Sequence, residues 1–262
     1  MNNVTQENID RFSGFTELYN ASRPVPPEII IKCILKYLPA PPRTVIDIGS
    51  GTGLSTMIWK DIAARVIGIE PNDDMRNAAE TAMEAAIPAA NITFRKGYSN
   101  QTGLPDGAAD VVTISQAFHW MDIPSTLDEV WRILKPGGVF AVYDCDWPPA
   151  VDWMVEQAES ALIRKCNAIK PPALKNDKDA HLRRMNEFGR FRFVREVVCH
   201  SVEPCTPERM IGIAVSQGCV QGALKLEPSV REDVDAFCEV VRERCPAEFG
   251  IVFSYRMRLA VK

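Results

Sequence analysis

Although the chain of 262 residues carries eight cysteines, no two of them stand at C-x-x-C spacing. Scattered thiols argue against a disulfide framework and read as free thiols in a reducing, cytoplasmic setting. Histidine is scarce, with only His119, His181 and His200, and no ligand spacing joins them to the cysteines, so no metal is expected. A positive excess is also missing. The formal net charge of -4 argues against a generally polyanion-binding surface, and nucleic acid is not an expected partner. There is no apolar run long enough to span a membrane. Residues 1–10 are polar and acidic and lack the apolar stretch of a secretory leader.

What remains is an ordinary soluble composition, with 46% hydrophobic and 24% charged residues. This length suits one α/β domain carrying an insertion better than two independent domains. The chain is organised around residues 43–70, which read as strand, glycine loop, helix, strand, acid. Residues 44–48 form an apolar run broken by Asp47, as in a strand buried on both faces of a parallel sheet. Gly49, Gly51 and Gly53 follow at once, so the backbone can turn sharply and lie against a ligand. Thr52 is placed to cap the next segment, which has helical character through Trp59 to Ile62, and residues 65–69 form a second strand closed by Glu70 and Pro71. A carboxylate there can accept hydrogen bonds from both hydroxyls of a ribose, so the ligand should contain a nucleoside. The dinucleotide fingerprint needs a glycine at position 54, where Leu54 stands.

The G-x-G-x-G spacing with Asp47 before it and Glu70 after it resembles the first motif of the class I S-adenosylmethionine-dependent methyltransferases. Two downstream stretches strengthen the resemblance. Residues 97–122 resemble the region around the fourth strand of the small-molecule branch that includes trans-aconitate and ubiquinone and menaquinone-biosynthesis methyltransferases, and the LKPGG run at 134–138 resembles a recurrent helix-to-strand turn of the family. The resemblance implies a Rossmann-like αβα sandwich of three layers. Its sheet has seven strands, mostly parallel, with the last antiparallel between the fifth and sixth, plus helical cap insertions. It further implies a lid and first core helix in residues 1–40, a cofactor-binding core in 41–146 and a substrate cap in 147–262 interleaved with the last two strands.

Site residues follow. Gly49, Ser50 and Gly51 would hold the methionine part, Gly53 would belong to the same cofactor-binding loop, Asp47 would support the loop or meet the ammonium group, and Glu70 would take the ribose. Met75 would pack on adenine or simply belong to the core. Where the branch usually has an adenine-binding acid, this chain has Tyr98, Ser99 and Asn100, which leaves recognition to backbone groups or the Asn100 amide. Residues 109–115 deliver Gln116, Ala117, Phe118, His119 and Trp120 at a strand's carboxyl end, where ligands of open α/β sheets bind. His119 is expected as a base or a hydrogen bond to substrate, with Tyr19 a second candidate base. Phe12, Tyr19 and Arg23 resemble a lid, joined on the substrate side by His119 and Trp120. Asp144 and Asp146 end the fifth strand, again on the ligand side, though loop capping explains them without any function.

Other boundaries complete the outline. Helices are expected from Pro26 to about Leu38, over 72–86, 124–134 and 151–167, and across most of 207–244, with strands at 91–96, 139–143, 191–198 and 250–261. Residues 181–195 carry five arginines and one acid among aromatics. A solvated helix face followed by an edge strand is the favoured reading, ahead of an anionic pocket and a nucleic-acid patch. The expected activity is in-line transfer of a methyl group to an O, N, S or C nucleophile of a small molecule, anionic ones included, leaving S-adenosylhomocysteine. The alternatives are a non-catalytic cofactor-binding relative and an NAD-dependent oxidoreductase.

Overall fold

The computed structural model describes residues 3–10, 13–85, 91–172 and 175–262. Phe12 and Ala86 therefore lie outside the described residues. Packing divides the chain into two units, each assembled from three segments. The first comprises residues up to Pro24, Cys145–Ala173 and His200–Tyr255; the second comprises Val25–Asp144, Leu174–Cys199 and Arg256–Lys262.

A seven-stranded sheet of order β3-β2-β1-β4-β5-β7-β6 has most of its strand residues in the second unit. Strands β1 (Thr44–Ile48), β2 (Arg65–Ile69), β3 (Ile92–Arg95), β4 (Ala109–Ser115) and β5 (Leu134–Cys145) run parallel to one another. β7 (Phe249–Val261) lies between β5 and β6 (Phe193–Cys205) and runs antiparallel, with Gly137 N–H donating to Lys262 O and Lys262 N–H to Gly138 O. The last strand thus lies antiparallel between the fifth and sixth, as expected. Ile46, Ile48, Ile67, Val112, Ile114, Phe140 and Val142 are buried in the sheet's core, which explains why these strands are β-branched and nearly unbroken. The order reverses between β1 and β4, so the crevice at their carboxyl ends is the topological switch point. Asp110 fixes the opposite end. Its Oδ2 accepts from Arg43 N–H at 3.0 Å and Thr44 N–H at 2.8 Å, while Lys135 Nζ lies 2.7 Å from Oδ1.

Helices α3 (Glu28–Leu35), α4 (Asp73–Ala85), α5 (Ile123–Ile133) and α7 (His181–Glu187) complete the second unit. Asn72 caps α4 by accepting from Met75 N–H at 3.0 Å, and Asp122 caps α5 through Ser125 N–H at 3.2 Å. α5 buries Ile123, Leu127, Val130 and Ile133 on one stripe.

The first unit contains α1 (Asn3–Asp10), α2 (Thr16–Ser22), α6 (Trp153–Ile169), α8 (Pro207–Val215), α9 (Gly218–Leu226) and α10 (Val230–Arg244). α6 packs on α9 and α10, and α2 packs on α8. At Gly212 an added Cβ would lie 2.1 Å from Ser22 Oγ, so only glycine allows that approach.

Several expectations are corrected. The segment after the glycine loop is not an α-helix; it is a run of turns with a 3-10 turn at Met57–Trp59. Thr52 caps nothing, since its buried Oγ1 has no partner. The positive φ of 87° at Gly53 breaks helical geometry there, and the Ser55 and Thr56 hydroxyls are turned onto Asp47. The LKPGG run is strand rather than turn: α5 ends at Ile133, β5 begins at Leu134, and Gly137 and Gly138 pair with the end of β7. β6 runs on to Cys205, past the expected end at 198, while residues 207–244 are largely helical as expected, in α8, α9 and α10.

Candidate active site

The site begins at the end of β1. Asp47 is completely buried, and its oxygens accept from Ser55 Oγ at 2.7 Å, Thr56 Oγ1 at 2.7 Å and Thr113 Oγ1 at 2.8 Å. Burial raises its pKa, and the three hydroxyls partly offset this. With three internal donors, Asp47 supports the loop from within the protein. Gly49, Gly51 and Gly53 all have positive φ, at 70°, 54° and 87°. A Cβ on Gly49 would meet Ala117 Cβ at 2.8 Å and Met121 Cε at 3.0 Å, which shows how closely the loop after β4 lies on the glycine loop. A Cβ on Gly51 would meet nothing within 4 Å. Ser50 Oγ is buried without a partner.

Glu70 closes the loop from the end of β2. Its Oε2 accepts from Gly51 N–H at 2.8 Å and its Oε1 from Asn72 N–H at 2.8 Å. Burial raises its pKa, and the two backbone donors pull the other way. Each oxygen keeps a further lone pair. Pro71 follows, and the Met75 side chain is buried at the start of α4. Ser99 and Asn100 form the tip of a tight turn closed by Tyr98 and Gln101, with Ser99 Oγ 2.8 Å from Thr126 Oγ1 and Asn100 exposed.

At the end of β4, Gln116 has φ of 55°, the sole positive value at a non-glycine residue among the described residues. Backbone strain of this kind concentrates at functional sites. His119 and Trp120 follow in the 3-10 turn Phe118–Trp120, their rings 4.6 Å apart. Here the structure adds what sequence reading missed. Asp144 is a buried charge rather than a loop cap. Its Oδ1 lies 3.4 Å from His119 Nδ1 and 3.3 Å from Lys178 Nζ, and its Oδ2 lies 3.8 Å from His181 Nδ1 and 3.7 Å from Arg258 Nη1. These are ion-pair distances rather than aligned hydrogen bonds. Burial alone would raise the Asp144 pKa, but Lys178 and His119 hold it well below the usual carboxylate range. Burial lowers His119 despite the carboxylate, and lowers His181 to about 4.

Asn176 ties the returning chain to this turn, its N–H donating to His119 O at 2.7 Å and its side chain to Met121 O at 2.8 Å. No local pattern marks Lys178, His181 or Arg258, since each reaches the site from a distant segment. Thr113, a hydroxyl within the apolar run of β4, was the available signal for the Asp47 network.

Tyr19 and Arg23 belong to the first unit. The Arg23 guanidinium lies over the Tyr19 ring at 4.9 Å and the Trp147 ring at 5.0 Å, and donates to Ser216 Oγ and O at 3.2 Å each. The arginine-rich stretch 181–195 is mostly surface. Arg183 pairs with Glu187, Arg190 with Asp128, and Arg195 donates to Tyr37 Oη at 2.9 Å.

The sheet order is that of the Rossmann-like methyltransferase fold, as the sequence motifs implied. Residues 46–142 match the family model described as a methyltransferase domain. An uncharacterized methyltransferase of Mycobacterium bovis is 33% identical over 128 residues, covering 48% of this chain and 49% of that protein. The demethylmenaquinone methyltransferase of Symbiobacterium thermophilum is 28% identical over 135 residues, covering 44% and 54%. The chain thus spans about half the length of these curated relatives. Among solved structures, a provisional type II methyltransferase from Anaeromyxobacter dehalogenans superimposes with a TM-score of 0.67 at 19% identity, covering 91% of this chain and 97% of that one.

Proposed function

We propose that this protein transfers a methyl group from S-adenosylmethionine to a small molecule. The observation that carries the reading is the glycine loop. Open space lies beside Gly51, whose N–H is oriented by Glu70, and an unpartnered Ser50 hydroxyl lies next to it. These residues fit the cofactor. Gly49, Ser50 and Gly51 would hold its methionine part, Glu70 its ribose, and Met75, Ser99 and Asn100 its adenine, with Gln116 on the methyl side. When bound, the cofactor supplies a methyl carbon on a sulfonium, and the carbon–sulfur electron pair returns to sulfur as the acceptor's lone pair forms the new bond.

The protein's contribution is to orient and to exclude water, which can supply on the order of 7 to 11 kcal/mol of such a barrier. No covalent nucleophile is needed. Among the described residues no helix is long and apolar enough to cross a membrane. The eight cysteines are free thiols, which suits a reducing, cytoplasmic setting.

Calorimetric titration tests the reading. Saturable one-site binding of S-adenosylmethionine and S-adenosylhomocysteine is expected, with none of NAD. Glu70→Ala should weaken both by about 10- to 100-fold, the value of hydrogen bonds to a charged group. Binding of NAD alone, or of neither adenosyl ligand by folded protein, would overturn the function. Unchanged affinity in Glu70→Ala would remove the ribose assignment.

A further inference from the structure

The cluster around Asp144 has no part in holding the cofactor as assigned above. Its charges balance internally. Asp144 faces Lys178 and Arg258, and Arg258 Nε in turn lies 2.7 Å from Glu196 Oε2, with the more exposed Arg256 3.7 Å from Oε1. Within the cluster itself two carboxylates therefore meet two cations. The rings of His119 and His181 lie 6.5 Å apart and nearly parallel beside them, with Lys175 adding positive potential near His119. A proton on either imidazole would leave a net positive charge in a buried place, which burial resists.

A neutral His119 carries one proton. Its Nδ1, sequestered 3.4 Å from an ionised carboxylate, is where that proton belongs, because the opposite tautomer would set a lone pair against a negative charge. The ring then turns Nε2, with its lone pair, away from Asp144. His119 stands two residues beyond Ala117, which packs on Gly49, so the imidazole is at the same strand end as the glycine loop.

Building on the cofactor reading, we propose that Asp144 is a positioning residue that fixes His119 with Nε2 as proton acceptor, and that the methyl acceptor is a phenolic or enolic hydroxyl. A carboxylate or thiolate acceptor would have no proton to give, whereas a phenol or enol carries an acidic proton that a positioned imidazole can accept. In the step, the hydroxyl proton passes to Nε2, the O–H electron pair stays on oxygen and forms the bond to carbon, and the imidazolium later returns the proton to solvent.

With three histidines in the chain, the tautomer can be read directly by long-range proton–nitrogen correlation in protein labelled with ¹⁵N-histidine. His181→Gln and His200→Gln assign the signals. His119 should show protonated Nδ1 and free Nε2 at about pH 7.5 and take up its second proton only below the ordinary imidazole midpoint. Asp144→Asn should shift it towards the other tautomer, because an amide can donate to Nδ1 where a carboxylate only accepts. An Nε2–H tautomer or ordinary titration in the parent protein would overturn the proposal, and neither readout needs the cofactor. Should Asp144→Asn not fold, the parent tautomer still decides.

A second arm uses S-adenosylmethionine with substituted phenols as probes. In His119→Gln, release of S-adenosylhomocysteine should fall about 10²-fold for phenols un-ionised at the assay pH and be retained for 4-nitrophenol, which is largely ionised. Equal losses for both, or turnover of thiol or carboxylate probes only, would overturn it, as would no turnover of any phenol. Cofactor titration of the same proteins separates these failures from failure of the methyltransferase reading.

Discussion

Gly49 and Gly51 occupy similar backbone conformations but face different surroundings, and substitution should separate them. Gly51→Ala places a methyl group in open space at φ of 54°, so it should cost about 1–2 kcal/mol of stability yet abolish saturable cofactor binding. Gly49→Ala drives a methyl group into Ala117 and Met121 and should destabilise by more than Gly51→Ala, measured by urea unfolding. Equal stability of the two variants would refute the packing argument. At this scale the sequence was legible where a residue acts through its neighbours. Asp47, the three glycines and Glu70 are assembled as their spacing implied. Asp144 was misread because its partners Lys178, His181 and Arg258 are remote in the chain, and no spacing links them.

Helix α5 shows how an element holds a loop. Glu129, on its buried side, accepts from Thr102 N–H at 2.8 Å and from Arg132 Nε through Oε2 at 2.8 Å. Burial raises its pKa, but Arg132 and Thr102 reverse this and hold it below the usual range. Glu129→Gln should therefore lower stability by about 1–3 kcal/mol, read as a reduced urea midpoint. Its amide keeps one acceptor oxygen, so a change within about 0.5 kcal/mol would show the charge to be unimportant. Strands were the most legible elements: β1, β2 and β4 have the bounds read from the sequence, because burial on both faces leaves an apolar run with polar ends. The helix expected after the glycine loop failed for a tertiary reason, since Ser55 and Thr56 serve Asp47. In the same way Gly137 and Gly138 read as a turn until β7 is there to pair with them.

Over the whole molecule, two buried groups of opposite sense shape acid stability. Glu159, in the first unit, accepts from Gln217 at 2.9 Å and is pushed up to about 7 by burial; His181, in the second, is pushed down to about 4 by burial. Between the ordinary carboxyl value of 4.5 and about 7 the folded protein binds more protons at Glu159 than the unfolded chain does, so this group's contribution falls as pH rises. Between about 4 and the ordinary imidazole value of 6.5 the unfolded chain binds more at His181, so that contribution rises with pH. Asp47 and Glu70 act in the sense of Glu159, and His119 in that of His181. Urea midpoints across this range should accordingly rise more steeply with pH in Glu159→Gln than in the parent, and less steeply in His181→Gln. Each change should approach at most about 1.4 kcal/mol per pH unit. Parallel profiles for all three proteins would refute both assignments. None of this was legible in the sequence, because burial of a lone acid or histidine is decided by the complete fold.

The sheet order carries one more consequence, for synthesis. β7 pairs with β5 but is made only after residues 146–248. Throughout that interval of translation the hydrogen-bonding edge of β5 has no strand from its own chain, and open edges invite pairing with other chains. Nascent chains halted within that interval should be the ones that chaperones bind most.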